Sequence, residues 1–129
     1  GVRKTYHALV AGSVHSAKQT ISISLEGQKS ITHVERISWN RSATHVKAEI
    51  ETGRTHQIRK HFAAIRHPVL GDKQYGASTP VDDRTVGITR QMLHASDVSF
   101  TNPFTGTPVH AHAPLPQDFR ECMRALRLN

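Results

Sequence analysis

The sequence predicts an α+β fold, a mainly antiparallel sheet with flanking helices. Side chains alternate with a period of two through most of the first fifty residues, apolar positions recur at helical spacing after Gly53, and an amphipathic stretch follows Pro116.

Taken in order, the first strand runs from Thr5 to Ala11 and the second from Thr20 to Leu25, where Ile21, Ile23 and Leu25 oppose Thr20, Ser22 and Ser24. A third runs from Ile31 to Ser38. The fourth, His45 to Glu51, sets Val46, Ala48 and Ile50 against Lys47, Glu49 and Glu51. Gly12-Ser13, Glu26-Gly27-Gln28 and Asn40-Arg41-Ser42 supply the turns between them. Beyond Thr52-Gly53, with Thr55 as N-cap, Ile58, Phe62 and Ile65 fall at i, i+4 and i+7. That spacing predicts a helix of about three turns, ended by His67-Pro68. Pro68 to Val86, with two prolines, Gly71, Gly76 and the acidic pair Asp82-Asp83, reads as a long surface loop. His94 to Thr101 and Thr107 to Ala113 are hairpin arms around Asn102-Pro103-Phe104-Thr105-Gly106. A last helix from about Pro116 buries Phe119, Cys122, Met123 and Leu126 and turns Arg120, Arg124 and Arg127 to water. No repeat or linker interrupts the pattern, so residues 1–129 are expected to form one domain.

Composition narrows the class. At 129 residues and 36% hydrophobic, the chain can bury a core without disulfide or structural metal. One cysteine, Cys122, can form neither an intrachain disulfide nor a Cys-rich zinc site, which favours a reducing, cytoplasmic setting. The longest apolar stretches, such as Ala8-Leu9-Val10-Ala11, are four residues long, far from a membrane span. The amino terminus enters a strand pattern at once without an initiating Met and reads as the cut end of a longer chain.

Seventeen Lys and Arg against ten Asp and Glu give a net charge of +7, which points to a polyanion, nucleic acid first. The cations concentrate between Gly53 and Lys73. There Arg54, Arg59, Lys60, Arg66 and Lys73 stand beside His56, His61 and His67, with Asp72 the one opposing charge. A basic helix face alone is more often merely solvated. His56 and His61 are five apart, not the four of a helical zinc pair, and enclose no Glu, so metal binding is a weak reading.

The unit Gly53-Arg54-Thr55-His56-Gln57-Ile58-Arg59 is more specific. Together with His67-Pro68-Val69-Leu70-Gly71-Asp72, Leu93-His94-Ala95 and Ala113-Pro114, it resembles the ribosomal large-subunit type of pseudouridine synthase. Lys4-Thr5-Tyr6-His7-Ala8 matches that family's Lys-x-Tyr-x-Ala strand, and Asn102-Pro103-Phe104-Thr105-Gly106 its hairpin turn. The resemblance covers nearly the whole chain, in order.

The resemblance implies the C-terminal portion of that family's catalytic fold, a long mixed sheet flanked by helices and loops. It implies isomerisation of uridine in RNA to pseudouridine without a cofactor, after the base has left its stack. Tyr6 would pack on the flipped uracil and help remove the proton at C5, and Arg59 would pair with the catalytic aspartate. Ile58 and Leu70 are candidates for apolar walls, and Arg54, His56, Lys60 and Arg66 for contacts to the substrate, chiefly its phosphates. Ribosomal RNA is the first expected partner and transfer RNA the second, with no obligate protein partner.

Two departures stand out. The family's nucleophile lies in a His-Arg-Leu-Asp segment before the Lys-x-Tyr-x-Ala strand, and none of the ten acidic residues here has that surrounding. The catalytic aspartate is therefore expected upstream of Gly1, and the chain alone is expected to lack turnover. The connection from Gly12 to Gly27 is also short for the family, which leaves the choice of RNA open; the small accessory RNA-binding domain that some members carry before the catalytic domain is not within these residues. The rival expectation is a non-catalytic RNA-binding module that keeps the synthase fold.

Overall fold

The computed structural model describes residues 2–76 and 87–128. Six strands and two helices follow in the order β1 (Arg3–Ala11), β2 (Lys18–Ile21), β3 (Thr32–Trp39), β4 (Ala43–Ile50), α1 (Gln57–Ala64), β5 (Leu93–Thr101), β6 (Pro108–His112) and α2 (Gln117–Ala125). The strands form one sheet in the order β2-β3-β4-β1-β5-β6. Every ladder in it is antiparallel, so among the described residues the sheet has no parallel pair of the kind a mixed sheet contains.

Alternation along β1 sends Ala8 and Val10 to one face and Leu9 and Ala11 to the other. The first face meets α1 through Ile58 and Phe62, over Val34, Val46, Ala48 and Ile50. The second meets α2 through Phe119, Cys122 and Leu126, over Leu9, Ala11 and Ala43. Phe62 and Phe119 are fully buried on opposite faces, each contributing about 1.5–3 kcal/mol of apolar transfer. Burial pushes the Cys122 thiol up to about 11, which keeps it protonated and unreactive.

Several sequence expectations shift. β2 stops at Ile21, because the chain then leaves the ladder and gives the Ile23 carbonyl to His61 Nε2 at 2.8 Å; Ile23 is left exposed. Leu25 and Gln28 close a tight two-way bridge around Glu26 and Gly27, both with the positive φ such a turn requires. α1 is shorter than three turns, and its N-cap is His56, in left-handed conformation, not Thr55. Thr55 stands instead beside the Glu26 carboxylate. The stretch after Pro68 does not begin as a surface loop. Val69 and Leu70 are buried, and the main chain of Pro68 and Leu70 bonds Ala11 and Leu9, lining β1 where β5 has ended. Asp82 and Asp83 lie outside the described residues. No helix among the described residues is long and apolar enough to cross a membrane.

Candidate active site

Tyr6 leaves the centre of the sheet on the α1 face, packed against the first core, while α1 begins beside the end of β4 at Ile50. Between them lies a cleft of about 330 Å³. Tyr6, Arg54, His56, Ile58 and Arg59 all line it, so five of the eight residues expected at a site are brought together. Lys4, Ile50, Gly53, Gln57, Gln91 and Leu93 complete the wall. The lining carries three fixed cations, Lys4, Arg54 and Arg59, and no carboxylate.

The other three expected residues lie elsewhere. Lys60 reaches Glu26 at 3.3 Å, on the side of the β2–β3 connection. Arg66 is exposed beyond the far end of α1, with φ +66°. Leu70 belongs to the α2 face, packed with Leu9 and Phe119, and is not among the residues lining the cleft.

The start of α1 is fixed by a buried hydrogen-bond chain. Gln57 Nε2 donates to the Ile31 carbonyl at 2.9 Å and to Thr32 Oγ1 at 3.0 Å, while Gln57 Oε1 accepts from the Thr52 hydroxyl and the Arg54 N–H. His61 Nε2 must donate to the Ile23 carbonyl, which leaves Nδ1 to accept from Thr32 at 2.8 Å. The side-chain polar atoms of Gln57, Thr32 and His61 are thereby all bonded, so Gln57 and His61 position the helix and are not free to ligate a metal. Among the described residues no three His, Cys, Asp or Glu side chains converge to hold one.

Arg59 is clamped between a carboxylate and a ring. Its Nε and Nη2 donate to the two Asp72 carboxylate oxygens at 2.9 Å each, and its guanidinium carbon lies 5.0 Å from the centroid of the Tyr75 ring. Asp72 also accepts from the N–H groups of Gln74 and Tyr75. Burial works to raise the Asp72 pKa, yet the Arg59 fork and the two N–H bonds outweigh it and hold the group below the ordinary carboxylate range. So Asp72 both caps its own turn and fills the fork that the family resemblance reserves for a catalytic aspartate. His56 shares a 2.9 Å hydrogen bond with the Tyr75 hydroxyl, and Arg54 donates from Nε and Nη2 to the Lys29 carbonyl.

Lys4, Leu93 and Gln91 were not among the expected site residues. Lys4 was within reach of the sequence, since it stands two positions before Tyr6 on a strand and shares its face. Leu93 and Gln91 depend on β5 pairing beside β1, where Ala8 faces Leu93, and no local signal announces that. A second depression, about 360 Å³ over β2, β3 and β4, is lined by Lys18, Lys47, Glu35 and Glu49. It mixes both signs of charge and lacks an aromatic wall, so the Tyr6 cleft is the better candidate.

A cationic cleft lined by the Tyr6 ring and by three apolar side chains, Ile50, Ile58 and Leu93, suits a flat-ringed, anionic ligand such as a nucleotide. The pattern of the RNA pseudouridylate synthase family matches residues 1–64. An uncharacterized RNA pseudouridine synthase of Mycobacterium bovis is 37% identical over 140 residues, covering 98% of this chain and 45% of that protein. The ribosomal large subunit pseudouridine synthase D of Vibrio cholerae is 36% identical over 147 residues, again covering 98% of this chain and 45% of its own. Among solved structures, human RNA pseudouridylate synthase domain containing 1 superimposes with a TM-score of 0.72 at 27% identity, over 94% of this chain and 58% of that one. Human RNA pseudouridylate synthase domain containing 4 gives 0.79 at 19% identity, over 99% and 63%, and speaks to the fold alone. The chain belongs to the pseudouridine synthase family. It spans less than half the length of the bacterial relatives named.

Proposed function

We propose that the chain is the C-terminal part of the catalytic domain of an RNA pseudouridine synthase, acting on uridine in structured RNA. The observation that carries this reading is the Tyr6 cleft, where an aromatic ring, apolar walls and three cations converge without a carboxylate. In the overall reaction the bond from C1′ to N1 of uracil breaks, a bond from C1′ to C5 forms, and the C5 proton leaves while N1 gains one, so that product and substrate are isomers. Tyr6 packs on the extruded base, Ile58 and Leu93 exclude water beside it, and Arg54 and Lys4 face the phosphates. His56 and Arg59 line the same wall; Lys60 and Arg66 are assigned to phosphates farther along the strand. Leu70 supports the cleft only through β1. No cofactor is required by this chemistry. Ribosomal RNA is the first substrate class, in keeping with the printed name of the Vibrio cholerae relative, and transfer RNA the second.

The nucleophile comes from a segment outside residues 1–129, so the chain by itself has no turnover. The test compares uridine conversion in ribosomal RNA by the 129-residue chain and by a longer chain carrying the family's aspartate segment. Conversion only by the longer chain supports the proposal; conversion by the short chain refutes the missing nucleophile. A second reading, a non-catalytic RNA-binding module, draws on the Arg59 fork being already occupied by Asp72. Absence of conversion by both chains, with RNA binding kept, selects that module.

A further inference from the structure

The chain's only tryptophan, Trp39, is 49% exposed near the end of the sheet away from the cleft. An isolated exposed aromatic is ordinary, but this one is built into a platform. The Arg36 guanidinium carbon lies 3.4 Å from the centroid of its ring, and Arg36 Nη1 is fixed by the carbonyls of Val14 and His15 at 3.0 and 2.9 Å. A register shift between Arg36 and Ser38 brings Arg36 and Trp39 to the same face, opposite Val46 and Thr44. Val46 belongs to the core beneath α1, so the pair shares the sheet face that holds Tyr6 and the cleft. β2 has ended there: the last main-chain bond to β3 runs from Arg36 to Ala17, leaving Ile37 to Trp39 on an open edge.

The surroundings are cationic. The segments packed here are residues 12–18, joined by Arg36, and the chain end, where Asn40 Nδ2 donates to the Leu126 carbonyl at 2.7 Å and the Ser38 hydroxyl to that of Leu128. From Gly12 to Ala17, from Arg36 to Ser42 and from Arg124 to Leu128 there is no Asp or Glu, while Arg36, Arg41, Arg124 and Arg127 carry charge; Lys18 is the ladder partner of Glu35 and stands with it on the other face. The nearest acid along β3, Glu35, pairs with Lys47 on the opposite face. α1 leads from the cleft toward this patch: His67, just beyond it, donates to the Ala11 carbonyl, and Gly12 donates to Ser42 in the turn that follows Trp39.

We propose that the Arg36 and Trp39 pair is a second RNA contact, at which an unpaired base outside the cleft stacks on the uncovered part of the indole while neighbouring cations meet its phosphates. This rests on the RNA-binding reading given above. Guanidinium on one side and base on the other extend a single stack, and a carboxylate-free cationic rim favours a polyanion over a neutral or basic protein surface, while the flat stacking face favours a base over an acidic side chain.

Because Trp39 is the sole tryptophan, its emission reports the contact directly. The chain is titrated with a fluorescein-labelled RNA hairpin bearing a uridine-rich loop, following label polarisation and tryptophan emission together. Acrylamide should quench Trp39 in the free chain, and bound RNA should lower its emission and shield it. Trp39→Ala should weaken binding roughly 5- to 100-fold, the worth of one stacked base, with Trp39→Phe retaining most of the affinity. RNA that binds without moving the emission, and equally well to Trp39→Ala, overturns the platform and leaves the RNA reading intact. Shielding of Trp39 before RNA is added shows that protein covers it and also overturns the proposal. If polarisation never rises, the RNA reading itself fails and the platform with it.

Discussion

Arg59 and Asp72 meet fork to fork, with two hydrogen bonds of 2.9 Å, on side chains that are 12% and 0% exposed. The pair joins α1 to the turn that follows Pro68, and through it the cleft wall to the α2 face. Its geometry makes Asp72 as much a part of the site's framework as Arg59.

Removing one partner leaves the other buried and uncompensated. Asp72→Ala should destabilise the chain by about 3–5 kcal/mol, read as a fall in the urea midpoint. Asp72→Asn keeps an acceptor for the N–H groups of Gln74 and Tyr75 and should lose less. Equal losses would mean that the turn bonds contribute nothing beside the charge pair.

In the longer, active chain Arg59→Lys keeps the positive charge and loses the fork. Turnover should drop about 10²-fold or more, the scale of a single misoriented electrostatic group, with RNA affinity nearly unchanged. A loss confined to affinity would move Arg59 to the phosphate contacts. Tyr6→Phe should be tolerated better than Tyr6→Ala if stacking dominates; equal loss would point to the hydroxyl.

His45 lies at the base of the α2 face, sharing a 2.8 Å hydrogen bond with His7 and packing edge-on against Phe119. Burial, and then the neighbouring His7, push its pKa down to about 4 from an ordinary 6.5. The fold therefore holds His45 neutral: the stability this contributes is complete above pH 6.5 and drains away as pH falls from 6.5 to about 4. The full span is on the order of 3 kcal/mol, so urea midpoints should decline across that window. His45→Leu should flatten the decline. His7, also shifted down by burial, leaves a residual slope in that variant.

Gly71 has φ +79°, and a methyl group on it would stand 2.1 Å from the Arg90 carbonyl oxygen. Main chain cannot yield as a side-chain tip can, so Gly71→Ala should cost more than about 4 kcal/mol or abolish folding. Gly53, with open space where a methyl would go, is the control. Gly53→Ala should leave thermal stability unchanged, and any loss of turnover it causes would report RNA close to the cleft mouth.

Much of this was legible because it is periodic. Ala8 and Val10 against Leu9 and Ala11, or Val46, Ala48 and Ile50 against their polar neighbours, declare their faces by alternation alone. The Gly53 to Arg59 unit declared most of the cleft. Contacts between distant segments left no such trace: nothing around Thr55 indicates that it will stand beside Glu26 and that the helix will start from His56. The placement of Leu70 on the α2 face left no trace for the same reason, since its side is set by the main-chain bond to Leu9. Arg59 was expected to need a carboxylate; that Asp72 supplies one depends on a turn whose conformation its own side chain enforces.

β1 is the first of the six described strands and lies inside the sheet, held by β4 on one side and β5 on the other. Ala8 finds Val46 soon after it, but its second neighbour is Leu93. As the polypeptide leaves the ribosome, β1 to β4 can zip together while one border of β1 stays bare until β5 has been made. That interval exposes main-chain amides and core apolar residues to other nascent chains, and pairing so distant in sequence closes slowly. Yield in a cell should accordingly follow elongation rate and chaperone supply more than native stability, and chains ended just before Leu93 should be lost to inclusion bodies.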